Sequence, residues 1–281
     1  LAVLVALGGC SSDAADRPVD DAATIVLVDA AGDTLRLAGP PRRIVSLVPS
    51  VTEVVADLGE LSRLVGRTRY DTASALADLP SVGEGMGPDY EALLALDPDV
   101  VIYFFGASDP ETPAQLARLG MRSFAVRPER IEDVVELYAT FGAMLDRTPE
   151  ADAFATALEA TLDSVAAIAA TLPRVGVSYL LSGDPPWAAG PGTYIGQLVE
   201  LAGGKLLPDD LPELYAQISP EGLVAAPIDV ILISGSSPLD DRLVEGRRVE
   251  RVPAWVELPG PAVRDAARVI LRALHPGISG A

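Results

Sequence analysis

The chain has 281 residues, of which 49% are hydrophobic and 22% are charged, and its formal net charge is −19. This length is typical of about two domains, and the composition is that of a globular protein and not of a disordered chain. The negative charge argues against nucleic acid as a partner, because a phosphate backbone attracts basic surfaces. A single histidine, His275, and a single cysteine, Cys10, exclude a Cys/His zinc cluster and a disulfide within the chain. They also leave little for Ser-His-Asp or Cys-His catalysis.

The first ten residues, LAVLVALGGC, place an apolar and glycine-rich stretch before Cys10. The stretch is too short for a transmembrane helix, which needs ~20 residues, and has the length of a signal-peptide core. Its end, LGGC, resembles a bacterial lipoprotein signal, which implies lipidation of Cys10. The polar, Asp-rich residues that follow predict a flexible tether, so residues 1–22 are interpreted as signal remnant and tether. An ordinary secretory signal is the alternative, and both interpretations predict export to the periplasm or cell surface.

Strands and helices alternate over residues 23–147, which predicts an α/β lobe with a parallel sheet. Two short apolar runs at 24–28 and 34–37 flank a turn and predict a hairpin. RIVSLV then predicts a buried strand, and TEVVADLG predicts a helix capped by Ser50 or Thr52. Further helices are predicted at DYEALLAL, PAQLARLG and IEDVVELYATFGAMLD, with strands at VVIYFFG and MRSFAV between them.

A longer helix is predicted over residues 148–172, opening at Thr148-Pro149 and ending before Pro173. The alternation resumes over 173–281, where RVGVSYLLSG and IDVILISGSS predict strands. TYIGQLVELAGG and PAVRDAARVILRALHPG predict helices in the same stretch. This pattern favours two lobes joined by one stiff helix, and a single large sheet is the alternative.

The two halves contain matching segments, PDYEALLALDPDVVIYFFG and SPEGLVAAPIDVILISGSS. Glu91 and Glu221 lie 130 positions apart, and so do Asp99 and Asp229. Each glutamate falls in the first turn of a predicted helix, where an acidic side chain interacts favourably with the helix dipole. That effect accounts for one glutamate but not for the same placement in both halves. The match indicates two similarly built lobes.

Aromatic residues are only 5% of the chain, and several follow predicted strands or fall in loops. Because ligands bind at the carboxyl ends of parallel strands, these side chains are expected to line a cleft between the lobes and stack on a large ligand. A purely structural role in the core is the alternative for Tyr103 and for one of Phe104 and Phe105. The candidate ligand-binding aromatics are Tyr70, Phe104, Trp187, Tyr215 and Trp255.

Arg67 and Arg69 flank the same loop as Tyr70. They are candidates for a local anion site, and a solvated surface pair is the alternative. The glycine run GEGMGP does not fit a dinucleotide fingerprint, and the chain contains no P-loop, G-x-S-x-G or H-E-x-x-H motif. The 40 acidic residues leave a carboxylate pair for glycoside hydrolysis open, although nothing in their spacing favours one. The sequence therefore predicts no particular catalytic residue, no protein-bound metal and no resident cofactor.

Several segments in order resemble the periplasmic substrate-binding proteins for cobalamin and ferric siderophores, the extracytoplasmic receptors of ABC importers. They are RIVSLVPSVTEVVADLG, LVGRTRYD, LPSVGEGMGPDYEALLALDPDVVI, YIGQLVELAGG and ISPEGLVAAPIDVILI. The resemblance covers about Arg42 to Gly277. It implies an α/β fold of two Rossmann-like lobes with parallel sheets, joined by a single long α-helix, with the ligand cleft between the lobes.

The resemblance also implies roles for particular residues. One glutamate on each lobe, Glu91 and Glu221 by position, docks onto arginines of the permease dimer. Cleft aromatics of the cobalamin binders correspond to Tyr70, Phe104, Trp187 and Tyr215. Two departures follow from the same alignment: a tryptophan of those binders falls near Gly85, and an Asp and Arg are replaced by Ala254 and Leu258.

These inferences predict a monomeric, lipid-anchored binding protein that captures a small-molecule metal chelate, cobalamin or a ferric siderophore, and delivers it to an ABC importer permease. No chemistry on the ligand is required, so the chain is predicted not to be an enzyme. Two alternatives stay open: a two-lobed α/β enzyme of the glycosyl-transfer type and a structural surface lipoprotein.

Overall fold

The computed structural model describes residues 25–181, 183, 185–211, 213–235 and 246–278. Cys10 and the predicted tether lie outside the described residues. The described chain begins with an antiparallel hairpin of β1 (Ile25–Val28) and β2 (Thr34–Leu37), as the sequence predicts. The Asp29 side chain fixes the turn, since it accepts hydrogen bonds from the backbone N–H groups of Ala31, Asp33 and Ala125.

The N-terminal lobe is built on a four-stranded parallel sheet in which the strand order is β4-β3-β5-β6. The strands are buried and largely apolar because helices cover both faces of the sheet. The strands are β3 (Ile44–Ser46), β4 (Leu64–Gly66), β5 (Val100–Phe104) and β6 (Ser123–Val126). The helices are α1 (Pro49–Asp57), α2 (Tyr90–Leu96), α3 (Glu111–Arg118) and α4 (Ile131–Leu145).

One long helix, α5 (Thr148–Ala169), connects this lobe to the next and lies within the segment predicted as the linker. It packs against α4 on one side and against two helices of the following lobe on the other. Phe154 stacks on Tyr138 of α4 with ring centroids 3.5 Å apart, and the Tyr138 hydroxyl donates to Asp57 at 2.5 Å.

The C-terminal lobe contains a second sheet in which β9, β7, β11 and β12 lie side by side and parallel. Its helices lie on the two faces of this sheet. The strands are β7 (Val175–Leu181), β8 (Trp187–Ala189), β9 (Gly204–Leu206), β10 (Tyr215–Gln217), β11 (Val230–Ser234) and β12 (Arg248–Val252). The helices are α6 (Tyr194–Leu201), α7 (Pro220–Ala225) and α8 (Val263–Leu274).

The two-lobed α/β fold predicted from the sequence is confirmed, with one correction to the second sheet. That sheet is mixed, because β8 pairs antiparallel with the carboxyl end of β7 and β10 pairs antiparallel with β8. Trp187 and Tyr215 were among the aromatics expected to follow strands or lie in loops, whereas each begins one of these strands. Strands of three residues are too short to show the alternation that reveals longer ones.

The predicted cap of α1 is also wrong. Its N-cap is Val48, and no side chain caps its first turn. Ser50 and Thr52 lie inside the helix, and the Thr52 hydroxyl reaches back to the Val48 carbonyl at 3.5 Å. The helix ends near the glycine that closes the predicted segment TEVVADLG, since Gly59 follows the C-cap residue Leu58 and has φ = 81°.

The largest of three buried apolar clusters runs through both lobes, and each lobe has a smaller cluster of its own. The largest cluster includes Val134 of α4, Leu158 of α5, Leu198 of α6 and Ile270 of α8, all buried. Because α5 shares its buried face with both lobes, the junction is packed and is not a flexible loop. Within the described ranges, no helix has both the length and the apolar character needed to cross a membrane.

Candidate functional site

The carboxyl edges of the two sheets meet at the junction of the lobes. Helix α1 starts where β3 ends, and the backbone of Gly260 in the other lobe lies against it, so that a Cβ there would sit 3.4 Å from the Glu53 carboxylate. On the far side, the N–H of Tyr194 at the start of α6 donates to the Glu129 carbonyl after β6 at 2.6 Å. The carboxyl ends of parallel strands are where ligands bind in such sheets, so this junction is the candidate site.

The N-terminal lobe contributes a mostly apolar pocket of ≈ 380 Å³ to this edge. It brings together two of the aromatics predicted from the sequence, Tyr70 and Phe104. Phe104 ends β5, and Tyr70, which is 53% exposed, lies in the loop that follows β4. The other lining residues are Leu47, Val48, Pro49, Glu84, Gly85, Met86 and Ser108.

A network of backbone and side-chain hydrogen bonds fixes the Tyr70 loop. The buried Asp71 carboxylate accepts from the Thr68 N–H at 2.8 Å and from the Thr68 hydroxyl at 2.7 Å. The Tyr70 hydroxyl donates to Glu84, and the Arg69 guanidinium pairs with Glu84 at 2.6 Å. The phenol is therefore held in one place with a carboxylate and a cation beside it.

The two arginines of this loop have different surroundings. The Arg67 guanidinium turns toward backbone, donating to the Thr68 carbonyl at 3.2 Å and to the Asp71 carbonyl at 3.5 Å. Arg69 is exposed, and its positive charge is matched by the paired Glu84. The loop thus holds both predicted cations: Arg69 is paired with Glu84, and Arg67 donates to backbone carbonyls. Neither arginine lines the apolar pocket.

Gly85 packs directly on the backbone of the strand end. A Cβ at this position would sit 2.6 Å from the Leu47 carbonyl oxygen, so a side chain here requires the loop to move. A tryptophan at this position, as the resemblance to the cobalamin binders implies for them, would therefore not fit without a shift of the loop. The next residue, Met86, is exposed in the same pocket and supplies a flexible apolar surface.

The C-terminal lobe carries an aromatic strip, formed by Trp187 and Tyr215, at the carboxyl edge of its sheet. Trp187 pairs with Gln217 and Tyr215 pairs with Ala189, so the two aromatic side chains point to the same face of β8 and β10. Diagonal neighbours on such a face lie within reach of large side chains. Trp187 also pairs with Leu181, which places the strip at the carboxyl end of β7.

Trp255 lies at the same carboxyl edge in a short 3₁₀ helix that follows β12. Glu257 in that helix accepts a hydrogen bond from the Tyr179 hydroxyl at 3.1 Å. Burial raises the pKa of Glu257, although hydrogen bonds from Ser234 and Tyr179 act in the opposite direction. The C-terminal wall thus combines exposed tryptophans with a partly buried carboxyl group.

The N-terminal wall has a corresponding carboxyl group in Glu53 of α1. Burial raises the pKa of Glu53, and the nearby Asp71 carboxylate raises it further. Tyr194 of the other lobe is 1% exposed, and among the described residues its hydroxyl has no hydrogen-bond partner. Burial and the proximity of Glu53 raise the pKa of Tyr194, so its phenol stays neutral. Glu53 and Tyr194 place polar groups from both lobes at the junction.

Glu91 and Glu221 are both exposed, and neither lines the Tyr70–Phe104 pocket. Each is the second residue of its helix, α2 or α7, and each helix has a side-chain cap one residue before its start. The Asp89 carboxylate accepts from the Ala92 N–H at 3.0 Å, and the Ser219 hydroxyl accepts from the Gly222 N–H at 3.0 Å. The two glutamates therefore occupy the same position on capped helices of the two lobes.

The internal match seen in the sequence has a structural counterpart at the strands that follow. The Asp99 carboxylate accepts from the N–H groups of Arg42 and Arg43 at 2.7 and 2.9 Å, at the start of β3. The Asp229 carboxylate accepts from the Gly176 N–H at 2.8 Å, at the start of β7. The two lobes therefore join their neighbouring strands with the same contact.

Sequence reasoning missed Glu53, Glu257 and Met86. The chain has 40 acidic residues, so neither glutamate is distinguished by type or spacing. Their position depends on contacts between lobes, which no local pattern shows. Met86 lies within the GEGMGP run, where the unusual glycine density was a usable sign of a tight loop beside the site.

Together, the fold and the junction define a two-lobed α/β protein with a binding cleft between opposed sheet edges. A family model for periplasmic binding proteins matches residues 44–257. The chain belongs to this family, which confirms the resemblance drawn from the sequence.

Three similar proteins illustrate the relationship. A cobalamin-binding protein of Halobacterium salinarum is 34% identical over 226 residues, which cover 76% of this chain. The match spans only 59% of that relative's length. A vitamin B12-binding protein of Photorhabdus laumondii is 24% identical over 85% of this chain and 90% of its own. A periplasmic heme-binding protein from Pseudomonas aeruginosa superimposes with a TM-score of 0.73 and 26% identity, covering 85% of this chain and 94% of the other.

Proposed function

We propose that the chain is an extracytoplasmic substrate-binding protein of an ABC importer, which captures a metal chelate between its lobes and delivers it to a membrane permease. Cobalamin is the ligand that we favour. The observation that carries the proposal is the position of the Tyr70–Phe104 pocket and the aromatic strip on opposite lobes, each at a carboxyl edge of the junction. Apolar and aromatic walls of this kind suit a large ligand with flat faces.

The carboxyl groups at the junction bear on the choice of ligand. Glu53 and Glu257 are partly removed from water, and burial raises the pKa of both. Such groups favour a ligand that donates hydrogen bonds and disfavour one with net negative charge. Cobalamin carries several amide N–H donors, whereas many ferric siderophores and the propionates of heme are anionic. The relative from Halobacterium salinarum, named as a cobalamin-binding protein, supports the same choice.

Heme is the second candidate, and the surroundings of Tyr70 favour it. The exposed Tyr70 phenol donates to Glu84 and lies beside the Arg69 guanidinium. The carboxylate can accept the phenol proton, and the guanidinium stabilises the phenolate that results. A tyrosine phenolate is an established ligand of heme iron. The similar structure from Pseudomonas aeruginosa is named as a heme-binding protein.

The proposal includes export and anchoring. The named relatives and the family support a location outside the cytoplasm. Anchoring through a lipid on Cys10 rests on the LGGC sequence alone. Capture and delivery require no bond to be made or broken in the ligand, and the relatives are named for binding, so we propose a receptor and not an enzyme.

Delivery is proposed to occur through Glu91 and Glu221. Both carboxylates are exposed, and they stand on equivalent helices of the two lobes. A permease with two equivalent basic sites is the complementary partner. Charge pairs of this kind mainly set the encounter rate and the orientation of docking.

The test is a ligand titration of the protein lacking residues 1–24. Binding is measured by calorimetry and by tryptophan fluorescence corrected for ligand absorbance. The ligands are cyanocobalamin, hemin, a ferric catecholate and a ferric hydroxamate. Saturable binding of cyanocobalamin, weakened by Trp187→Ala, supports the proposal. Binding of hemin that is lost in Tyr70→Phe supports the second candidate. Failure of all four ligands to bind contradicts the receptor function.

A further inference from the structure

Two large aliphatic side chains are exposed at equivalent positions of the two lobes. Leu94 in α2 is 48% exposed, and Val224 in α7 is 53% exposed. A single exposed aliphatic residue is ordinary on a protein surface. Here, however, the two residues are 130 positions apart, the same offset that relates Glu91 to Glu221. The exposure is therefore a duplicated feature of the fold.

Each aliphatic residue lies on the same helix face as the neighbouring glutamate. Residues three positions apart project side by side from a helix, so Leu94 adjoins Glu91 and Val224 adjoins Glu221. The residue just before each aliphatic is a fully buried leucine, Leu93 or Leu223, which ties the helix to its own lobe. The outward direction of Leu94 and Val224 is thus set by the packing beneath them.

Both helices are also held at their ends. An arginine of each lobe donates to the last carbonyls: Arg43 to Leu96 at 2.6 Å, and Arg247 to Val224 at 2.7 Å. With the caps at Asp89 and Ser219, each short helix is fixed at both termini. Because both helices are already ordered, binding of a partner to Leu94 and Val224 costs little conformational entropy in this chain.

Charge decides which partner fits this surface. The chain has a net charge of −19, and each exposed aliphatic stands beside an exposed carboxylate. A second copy of the chain would bring glutamate against glutamate, and an anionic lipid surface would be repelled in the same way. The complementary partner has two equivalent sites, each with a cation next to an apolar depression.

We infer that Leu94 and Val224 are permease-contacting residues, which enter apolar depressions of a two-fold symmetric permease beside the cations that receive Glu91 and Glu221. This inference rests on the proposed import function. It adds apolar contacts by Leu94 and Val224 to the charge pairs proposed for Glu91 and Glu221. The glutamates orient the encounter, and the aliphatic side chains slow dissociation because their apolar surface leaves water.

The experiment is a competition assay on right-side-out membrane vesicles of the source organism. Unlabelled variants of the protein lacking residues 1–24 compete with the fluorescently labelled wild type of the same length. The test variant is Leu94→Ser with Val224→Ser. The matched control is Val26→Ser with Val28→Ser, which removes two exposed valines of the β1 hairpin. Thermal unfolding and cyanocobalamin titration establish that both variants are folded.

We expect the half-maximal competing concentration of the test variant to rise by at least about tenfold, as loss of two buried aliphatic side chains predicts. The control is expected to match the wild type. Equal competition by the test variant and the wild type overturns the inference. If Glu91→Lys with Glu221→Lys also competes normally, or if the wild type shows no saturable binding, the docking part of the proposed function fails as well.

Discussion

The N-terminal and C-terminal lobes contain the same parallel framework, β4-β3-β5-β6 in one and β9-β7-β11-β12 in the other. They also carry the same outer construction, in which a capped helix with an exposed glutamate precedes a strand that opens at Asp99 or Asp229. Their facing edges differ. The first lobe presents an apolar pocket with Tyr70, and the second presents the added antiparallel pair that carries the aromatic strip.

Under the proposed function, this difference separates docking to a permease from binding of the ligand. Outer faces that meet a partner with two equivalent sites have reason to stay alike, because the same contact is made twice. Inner faces that hold two sides of an asymmetric ligand have no such reason. The packed junction through α5 keeps the inner faces in register, and a packed helix between lobes permits less closure than a loop hinge.

The largest expected effect concerns the outer faces. Glu91→Lys with Glu221→Lys replaces two attractive contacts with two repulsive ones, so we expect vesicle binding to weaken by about 100-fold or more. Each single reversal is expected to cause a smaller and similar loss, because the two sites are equivalent. The competition assay measures all three variants. A large loss from one glutamate and none from the other would contradict equivalence of the lobes.

Asp99 and Asp229, which each bond the backbone of a neighbouring strand, test how similar the sheets of the two lobes are. Asp99 accepts two backbone N–H groups and is partly buried, whereas Asp229 accepts one and is exposed. We expect Asp99→Ala to lower the free energy of unfolding by about 2 kcal/mol and Asp229→Ala by about 1 kcal/mol. Urea denaturation measures both. Equal losses, or a larger loss at Asp229, would show that the count of hydrogen bonds does not govern the difference.

The inner faces are compared by removing one aromatic from each. Trp187→Ala and Phe104→Ala are each expected to weaken cyanocobalamin binding by about tenfold, since a buried aromatic contact of this kind is worth ~1 kcal/mol or more. Tyr103→Phe is the control, because Tyr103 is buried in the core beside Phe104 and does not line the pocket. Unchanged affinity in Trp187→Ala would confine the ligand to the N-terminal wall.

Smaller effects, with opposite signs, are expected from two carboxyl groups. One is Glu53, and the other is Glu132 of α4, which accepts hydrogen bonds from Gln197 of α6 in the other lobe. Burial raises the pKa of Glu53, so the folded state holds its proton more tightly, and this residue's contribution to stability falls as pH rises from about 4.5 through the folded pKa. A hydrogen bond from Gln197 lowers the pKa of Glu132, so its contribution is present above its unfolded pKa and is lost in acid.

Thermal unfolding between pH 4 and pH 8 measures both signs. Relative to the wild type, Glu53→Gln is expected to gain in Tm as pH rises, while Glu132→Gln is expected to fall behind. Parallel curves for the two variants would show that burial at Glu53 does not set its protonation.

The sequence was informative where burial is strong. The apolar runs at β3, β5 and β11 were predicted because parallel strands covered on both faces are apolar throughout. The antiparallel pair β8 and β10 was not predicted, because three residues cannot display a period of two. For the site, rare aromatics drew attention to Tyr70 and Trp187.

The polar part of the junction could not be read in the same way. Glu53 matters because Gly260 and Tyr194 of the other lobe lie beside it, and that proximity arises only when the lobes pack. The 130-residue offset was visible in the sequence, but the contacts that the matching residues make were not. Only the structure shows that Asp99 and Asp229 each accept backbone N–H groups of a neighbouring strand.

The most direct test changes the cleft residues and the two exposed glutamates separately and measures ligand affinity and vesicle binding for each variant. Trp187→Ala with Phe104→Ala and Glu91→Lys with Glu221→Lys are each measured for cyanocobalamin affinity and for vesicle binding. The account predicts that the inner variant loses ligand affinity and keeps vesicle binding, and that the outer variant does the reverse. Loss of both properties in either variant would contradict the division between an inner ligand face and an outer docking face.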